Sequence, residues 1–319
     1  MLMLTTRAYQ GDRDLEKITD LLNACEAVDQ LDAFYTVSEL RQEASGPNED
    51  PASNWRLWED SDGTLLGFGQ LWIPTSGNPL DGHLWFRVHP QSRGQGLEAD
   101  MIAWGESRLR QVGQERAVPV LLRSGCRNTL TERLQLLEAH GFVSDRCFLT
   151  MTRSLADSIA TPQLPPGFTV RPVMGEQEAA AWVEMFNQSF IDHWNHHPLT
   201  IEEYRHYLTD PDYRPELDLV AIAPDGTLAA FCYASIDPAF NQQKNRREGW
   251  IGVLGTRRGF RRQGLGRAML LSGLQRLQAA GMDTAKLGVD TQNPNCARSL
   301  YESVGFELLH TNLAFAKTL

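Results

Sequence analysis

Residues 255–267 read G-T-R-R-G-F-R-R-Q-G-L-G-R (Gly255–Arg267), and their setting decides the fold. An apolar run, Trp250 to Leu254, leads into them as a strand would. Leading out, Leu265, Met269, Leu270, Gly273, Leu274 and Leu277 fall on one helical face, and Gly281 sits where a helix would stop. The stretch is a strand, a tight basic turn and a helix, the layout that aims main-chain N–H groups and a helix N-terminus at an anion. Gly264 and Gly266 have no Cβ to hold such an anion off. Arg257, Arg258, Arg261, Arg262 and Arg267 gather positive charge in a chain whose net charge is −10. On pattern alone, a phosphate cradle and a plain turn with solvated arginines both stay open.

The 319 residues suffice for two ordinary domains. With 42% hydrophobic and 22% charged residues, the chain reads as globular and water-soluble. No apolar run is long enough for a membrane span, and the opening residues lack a secretory-signal pattern. Cys25, Cys126, Cys147, Cys232 and Cys296 are scattered and odd in number, which suits reduced thiols in a cytoplasm. An acidic balance argues against nucleic acid as a partner; the arginine cluster suits one small polyanion better.

The chain is one unit written twice. Thr6-Arg7-Ala8 answers Val170-Arg171-Pro172 at a shift of 164 (7 to 171). Asp62–Leu65 and Asp225–Leu228 both read D-G-T-L, at a shift of 163. R-G-Q-G-L at Arg93–Leu97 matches R-R-Q-G-L at Arg261–Leu265, at 168. His140-Gly141-Phe142 answers Val304-Gly305-Phe306 at 164, and Arg153-Ser154-Leu155 answers Lys317-Thr318-Leu319. Ala156–Gly167, with three prolines, reads as a linker. The expected domains are 1–155, 156–167 as linker, and 168–319.

Each half predicts the same order of elements. A first strand precedes an amphipathic helix, whose face in the second half is Ala179, Trp182, Val183, Phe186 and Phe190. A second helical segment follows, Thr200 to Leu208 in the second half, and then a hairpin turning at Asp-Gly. The strand, basic turn and helix come next. Ala285, Leu287 and Val289 then alternate with polar residues as a strand, and a short helix runs from Cys296 to Val304. Strands interleaved with helices give an α/β (α+β) unit, twice.

Two motifs at this spacing resemble the GNAT superfamily of N-acetyltransferases. Arg261-Arg262-Gln263-Gly264-Leu265-Gly266 fits the family's R/Q-x-x-G-x-G/A between a strand and a helix. Asn293 ahead of Ala297-Arg298-Ser299-Leu300-Tyr301-Glu302-Ser303-Val304-Gly305-Phe306 fits its second element. The resemblance covers nearly all of the second half and, more weakly, the first. It implies tandem GNAT-fold domains, each a mixed, mostly antiparallel sheet flanked by helices. It also implies acetyl-CoA as co-substrate, with the pyrophosphate on the loop from Arg261 through Gln263, Gly264, Leu265 and Gly266 to Arg267. Pantetheine would lie along Val253 and Leu254, near Asn293. Tyr301 would return a proton to the leaving thiolate; otherwise it is a core aromatic.

The chain departs from the family pattern at the base. Where many members carry Glu, eleven residues before the loop motif, Trp250 stands; Glu248 lies two residues earlier on the same strand face and is the candidate base, or else a surface charge. The first half departs further. Glu98 replaces Gly266, and Leu137 replaces Tyr301. A carboxylate about 4 Å from a pyrophosphate charge costs up to about 4 kcal/mol at an effective dielectric near 20. The first half is therefore expected to be a non-catalytic scaffold, the rival being a domain that still binds cofactor.

Phe190 to Pro198 follows the first helix of the second half, and His193 and Trp194 there are the candidate acceptor pocket. His193, His196 and His197 lack the carboxylate pattern of a zinc site, so no metal is expected. The expected reaction is acetyl transfer from acetyl-CoA to the amine of a small molecule by the second half, in a monomer or homodimer without nucleic-acid or membrane partners. Another acyl donor, a hydroxyl acceptor, or a non-catalytic acyl-CoA-binding module stay open.

Overall fold

The computed structural model describes residues 4–319. They form two compact units, the described residues up to Arg146 with Asn312–Leu319, and Cys147–Thr311. In the first half, β1 (Thr5–Ala8) leads through α1 (Leu15–Asp29), α2 (Val37–Ala44) and α3 (Pro51–Asn54) to the hairpin of β2 (Trp55–Glu59) and β3 (Leu65–Trp72). Then come β4 (Leu80–Val88), α4 (Leu97–Arg116), β5 (Val120–Arg127), α5 (Thr131–Ala139) and β6 (Val143–Ser154). Residues 155–168 hold no helix or strand.

The second half repeats the order with β7 (Thr169–Pro172), α6 (Ala179–Phe190), α7 (Ile201–Tyr207), β8 (Asp218–Ile222) and β9 (Leu228–Ser235). After them come α8 (Pro238–Lys244), β10 (Glu248–Thr256), α9 (Leu265–Ala279), β11 (Thr284–Asp290), α10 (Ala297–Glu302) and β12 (Glu307–Thr318). Helix α8 has no counterpart in the first half. Its signal is local: Asp237 caps it by accepting from the Phe240 N–H at 2.7 Å, and Pro238 opens its first turn.

The strand order is β1-β2-β3-β4-β5-β12 in the first unit and β7-β8-β9-β10-β11-β6 in the second. Neighbours are antiparallel except β4 with β5 and β10 with β11. The units differ from the sequence halves in their last strand. β6, from the first half, pairs with β11 through Phe148–Ser154, and β12, from the second, pairs with β5 through Asn312–Thr318. Main-chain hydrogen bonds carry a ladder, so the similar final strands of a duplicated sequence can serve either sheet.

The duplication extends to side-chain clamps. Asn23 holds Tyr35 through N–H and C=O at 3.0 and 2.9 Å, and Asn187 holds Leu199 in the same way at 2.8 and 2.9 Å. Thr36 with Glu39 and Thr200 with Glu203 are capping boxes, each cap worth about 1 kcal/mol. Arg7 grips Asp14, and Arg171 grips Glu178, through paired hydrogen bonds.

Two features shape the sites. A Cβ at Gly273 would lie 2.5 Å from Cys232 Sγ, and one at Gly105 would lie 2.8 Å from Leu84, so glycine lets α9 and α4 press onto their sheets. The parallel pairs are also short. β10 pairs with β11 only from Glu248 to Ile251, and β4 with β5 only from Leu80 to His83. Beyond those residues each pair splays and opens a wedge.

Candidate active site

In the second unit the wedge meets the glycine turn. Gly264, at φ 88°, is the N-cap of α9, and Arg262 takes the left-handed φ of 63°. The N–H groups of Gln263, Gly264, Leu265, Gly266 and Arg267 find no hydrogen-bond acceptor among the described residues. A helix N-terminus with open amides favours an anion there by about 0.3–2 kcal/mol. A Cβ at Gly266 would meet nothing closer than 3.6 Å, so protein packing does not demand glycine; the room belongs to a cavity.

That cavity has a volume of about 840 Å³. Val253, Leu254, Arg261, Arg262, Gly264, Leu265, Gly266, Arg267, Asn293, Tyr301 and His193 lie on its wall; Gln263, Trp194 and Glu248 do not. A β-bulge between Ile251 and Val253 lifts Gly252 out of the ladder with β9, and from Gly252 onward β10 has no partner strand on its β11 side. An extended ligand can therefore pair with that edge. Tyr301 is 8% exposed, and burial pushes its pKa up to about 12, so the phenol keeps its proton at neutral pH. Asn293 Oδ1 accepts from the Asn295 N–H at 2.8 Å and shapes the turn into α10.

Several candidates have work other than the expected one. Arg261 gives its guanidinium to Asp192 at 2.7 Å, to Ser189 O at 2.8 Å and to Thr256 O at 3.2 Å, which pins the loop to the end of α6. Arg258 also pairs with Asp192. Glu248 is 8% exposed and faces Lys286 Nζ at 2.6 Å and Arg246 Nη1 at 3.1 Å. This carboxylate is held by two cations and lies off the cavity wall. Trp194 packs against Phe148 with ring centres 5.7 Å apart, and its carbonyl lies 2.9 Å from His193 Nδ1. Burial and the neighbouring histidines lower the pKa of His196. Among the described residues no group of three or more His, Cys, Asp or Glu could hold a metal ion.

Sequence reading missed Asp192, and Asp290 and Gly288 on the wall. Asp192 was findable: the first half carries Asp29 at a shift of 163, and it grips Arg93 at 2.6 and 2.8 Å just as Asp192 grips Arg261. In the first unit the corresponding wedge opens on a cavity of about 410 Å³. There Glu98 Oε1 accepts the Gly94 N–H at 3.1 Å, and Leu137 is fully buried.

Comparison with known proteins accords with this geometry. The model of the Acetyltransferase (GNAT) family matches residues 179–306. A mycothiol acetyltransferase of Kineococcus radiotolerans is 33% identical over 266 residues, covering 82% of this chain and 80% of the relative. Among solved structures, a GCN5-related N-acetyltransferase from Sphaerobacter thermophilus superposes with TM-score 0.75 at 23% identity, covering 99% of this chain and 95% of that one. A tandem GNAT protein from the clavulanic acid biosynthesis pathway gives TM-score 0.73 at 15% identity, covering 100% and 98%. No helix among the described residues is long and apolar enough to cross a membrane. Open loop amides, a splayed strand pair and a chain-long match to its relatives place the protein in the GNAT family of acetyltransferases.

Proposed function

We propose that the second unit transfers an acetyl group from acetyl-CoA to a primary amine on a small molecule. The observation that carries this reading is the continuous cavity wall from the unpaired amides after Arg262, along the free edge of β10, to Tyr301. The pyrophosphate lies on the N–H groups of Gln263 to Gly266, and pantetheine extends the sheet beside Val253 and Leu254. That places the thioester carbonyl in the splay between β10 and β11. The amine nitrogen attacks it, a C–N bond forms, and the C–S bond breaks. Tyr301 passes its proton to the departing sulfur and takes up the proton shed by the new amide nitrogen. A phenol with a pKa near 12 is a poor resting anion, so both transfers accompany C–S cleavage. The acceptor enters past His193. Glu248 has no part, and the amine arrives neutral.

The name of the relatives makes mycothiol-related amines the first acceptors to try. Free-thiol release from acetyl-CoA over a panel of amines and alcohols tests the reaction. Tyr301→Phe should lower kcat about a hundredfold with little change in the KM for acetyl-CoA. CoA binding without thiol release for any acceptor would sink the reading, and an unchanged kcat in the variant would remove Tyr301 from it.

A further inference from the structure

The wedge of the second unit opens between two glycines. β10 and β11 pair last at Ile251 and Leu287, and the residues that follow are Gly252 and Gly288. Both are exposed, and both lie on the cavity wall. Leu287 and Val289 belong to the core cluster that holds the apolar face of α9, so by alternation Gly288 faces the other side of the sheet. Gly252 faces that side too. A Cβ on it would lie 3.3 Å from the Tyr233 ring, which packs against Tyr207 of α7 with ring centres 5.0 Å apart.

Packing does not ask for glycine at 288. A Cβ there would meet nothing within 4 Å, and the backbone is outside the left-handed region. Inside a strand, glycine costs stability relative to alanine and gives its neighbours nothing to pack on. The first unit fills the same place. There β4 and β5 pair last at His83 and Arg123, and Leu84 and Ser124 follow. Both are buried, and Ser124 Oγ donates to the Leu84 carbonyl at 2.9 Å, tying strand to strand at the mouth of the wedge. The unit with the open amides and Tyr301 is the one whose mouth is bare.

The bare side is also the side from which an amine would come. Tyr301 sits in the cluster with Leu287 and Val289, on the α9 side, whereas Phe190 and His193 stand on the cavity wall at the end of α6. With a thioester between β10 and β11, acid and acceptor reach it from opposite faces of the sheet. An amine on an unbranched carbon needs little clearance there. Two missing side chains beside the reacting carbonyl leave room for substituents on the carbon that bears the nitrogen.

We propose that Gly288, together with Gly252, sets acceptor specificity by admitting a primary amine on a branched carbon, an assignment that rests on the acetyl-transfer reading and gives its acceptor a shape. Thiol release from acetyl-CoA with glycinamide, alaninamide and leucinamide tests it, since these amines differ only in the second substituent on that carbon. kcat/KM should rise along the series, with leucinamide at least about tenfold above glycinamide. Gly288→Val puts a branched side chain into the gap, in a strand that suits it. It should abolish the leucinamide preference while the KM for acetyl-CoA stays within about twofold. Should Gly288→Val fold poorly, Gly288→Ala should still cut the ratio by about threefold or more. Equal kcat/KM for the three amides, or an unchanged ratio in both variants, overturns the assignment and leaves acetyl transfer standing. A KM for acetyl-CoA that rises as the ratio falls gives the gap to the donor and overturns it as well. CoA binding with no thiol release from any amine overturns both the assignment and the transfer reading.

Discussion

The two glycine turns share a scaffold and differ in what fills it. In both, an arginine ties the turn to the acid ending the first helix: Arg93 to Asp29, and Arg261 to Asp192. In both, its Nε also reaches a carbonyl of the preceding strand or turn, Val88 O and Thr256 O, each at 3.2 Å. Beyond that pin they part. Glu98 bends back to accept the Gly94 N–H, the counterpart of Arg262, and so sets a carboxylate beside the first turn, whereas Gly266 sets no side chain there. The motif's arginine keeps the same pin in both turns, so its duty is to the loop's shape.

The sharpest way to break this comparison is to give the second turn the first one's residue. Gly266→Glu should weaken CoA binding by about three decades, up to ~4 kcal/mol for a carboxylate near the pyrophosphate, measured by calorimetry. Glu98→Ala should leave turnover and CoA affinity within about twofold, because Glu98 lies outside the second unit's cavity. Equal losses in both variants would end the assignment of different roles to the two turns.

The strands entering the wedges sharpen it next. Glu248 and Lys286 form a buried ion pair, whereas Leu80 and Leu122 stand at the matching register of the first unit. Glu248→Leu alone leaves the Lys286 ammonium buried with a lost partner and should cost about 3 kcal/mol in chemical denaturation. Adding Lys286→Leu, which copies the first unit, should recover most of that stability. Turnover per folded molecule should stay near wild type in both, and a collapse of turnover without loss of stability would restore Glu248 as a base.

Much of this was readable because the chain is its own comparison. The repeat, the turn and the residues on either side of it follow from spacing and glycine placement, and each half's element order follows from apolar periodicity. The exchange of β6 and β12 was not readable, because their sequences fit either sheet. The role of Arg261 and the pairing of Glu248 were hidden for another reason. A motif names residue types, whereas Asp192 and Lys286 reach these side chains across 69 and 38 positions of chain.

The last test concerns the start of the second strand in each unit. Asn54 receives the Arg108 Nε hydrogen at 2.9 Å, and Asp218, at the shift of 164, is fully buried with Tyr213 OH donating to it at 3.1 Å. Burial first, then the charge of Glu178, raises the Asp218 pKa from 3.8 to about 7, against the opposing Tyr213 hydrogen bond. The folded protein then holds a proton that the unfolded chain has released once pH exceeds its ordinary carboxylate range. Folding takes up a proton there, so stability falls as pH rises from about 4 to about 7 and levels off above. Asp218→Asn makes the second unit resemble the first at this position and removes the titration. It should flatten that slope and raise the Tm above pH 7 by a few degrees, without altering turnover. An unchanged slope would mean that Asp218 ionises freely in the folded state and that the two positions differ in name alone.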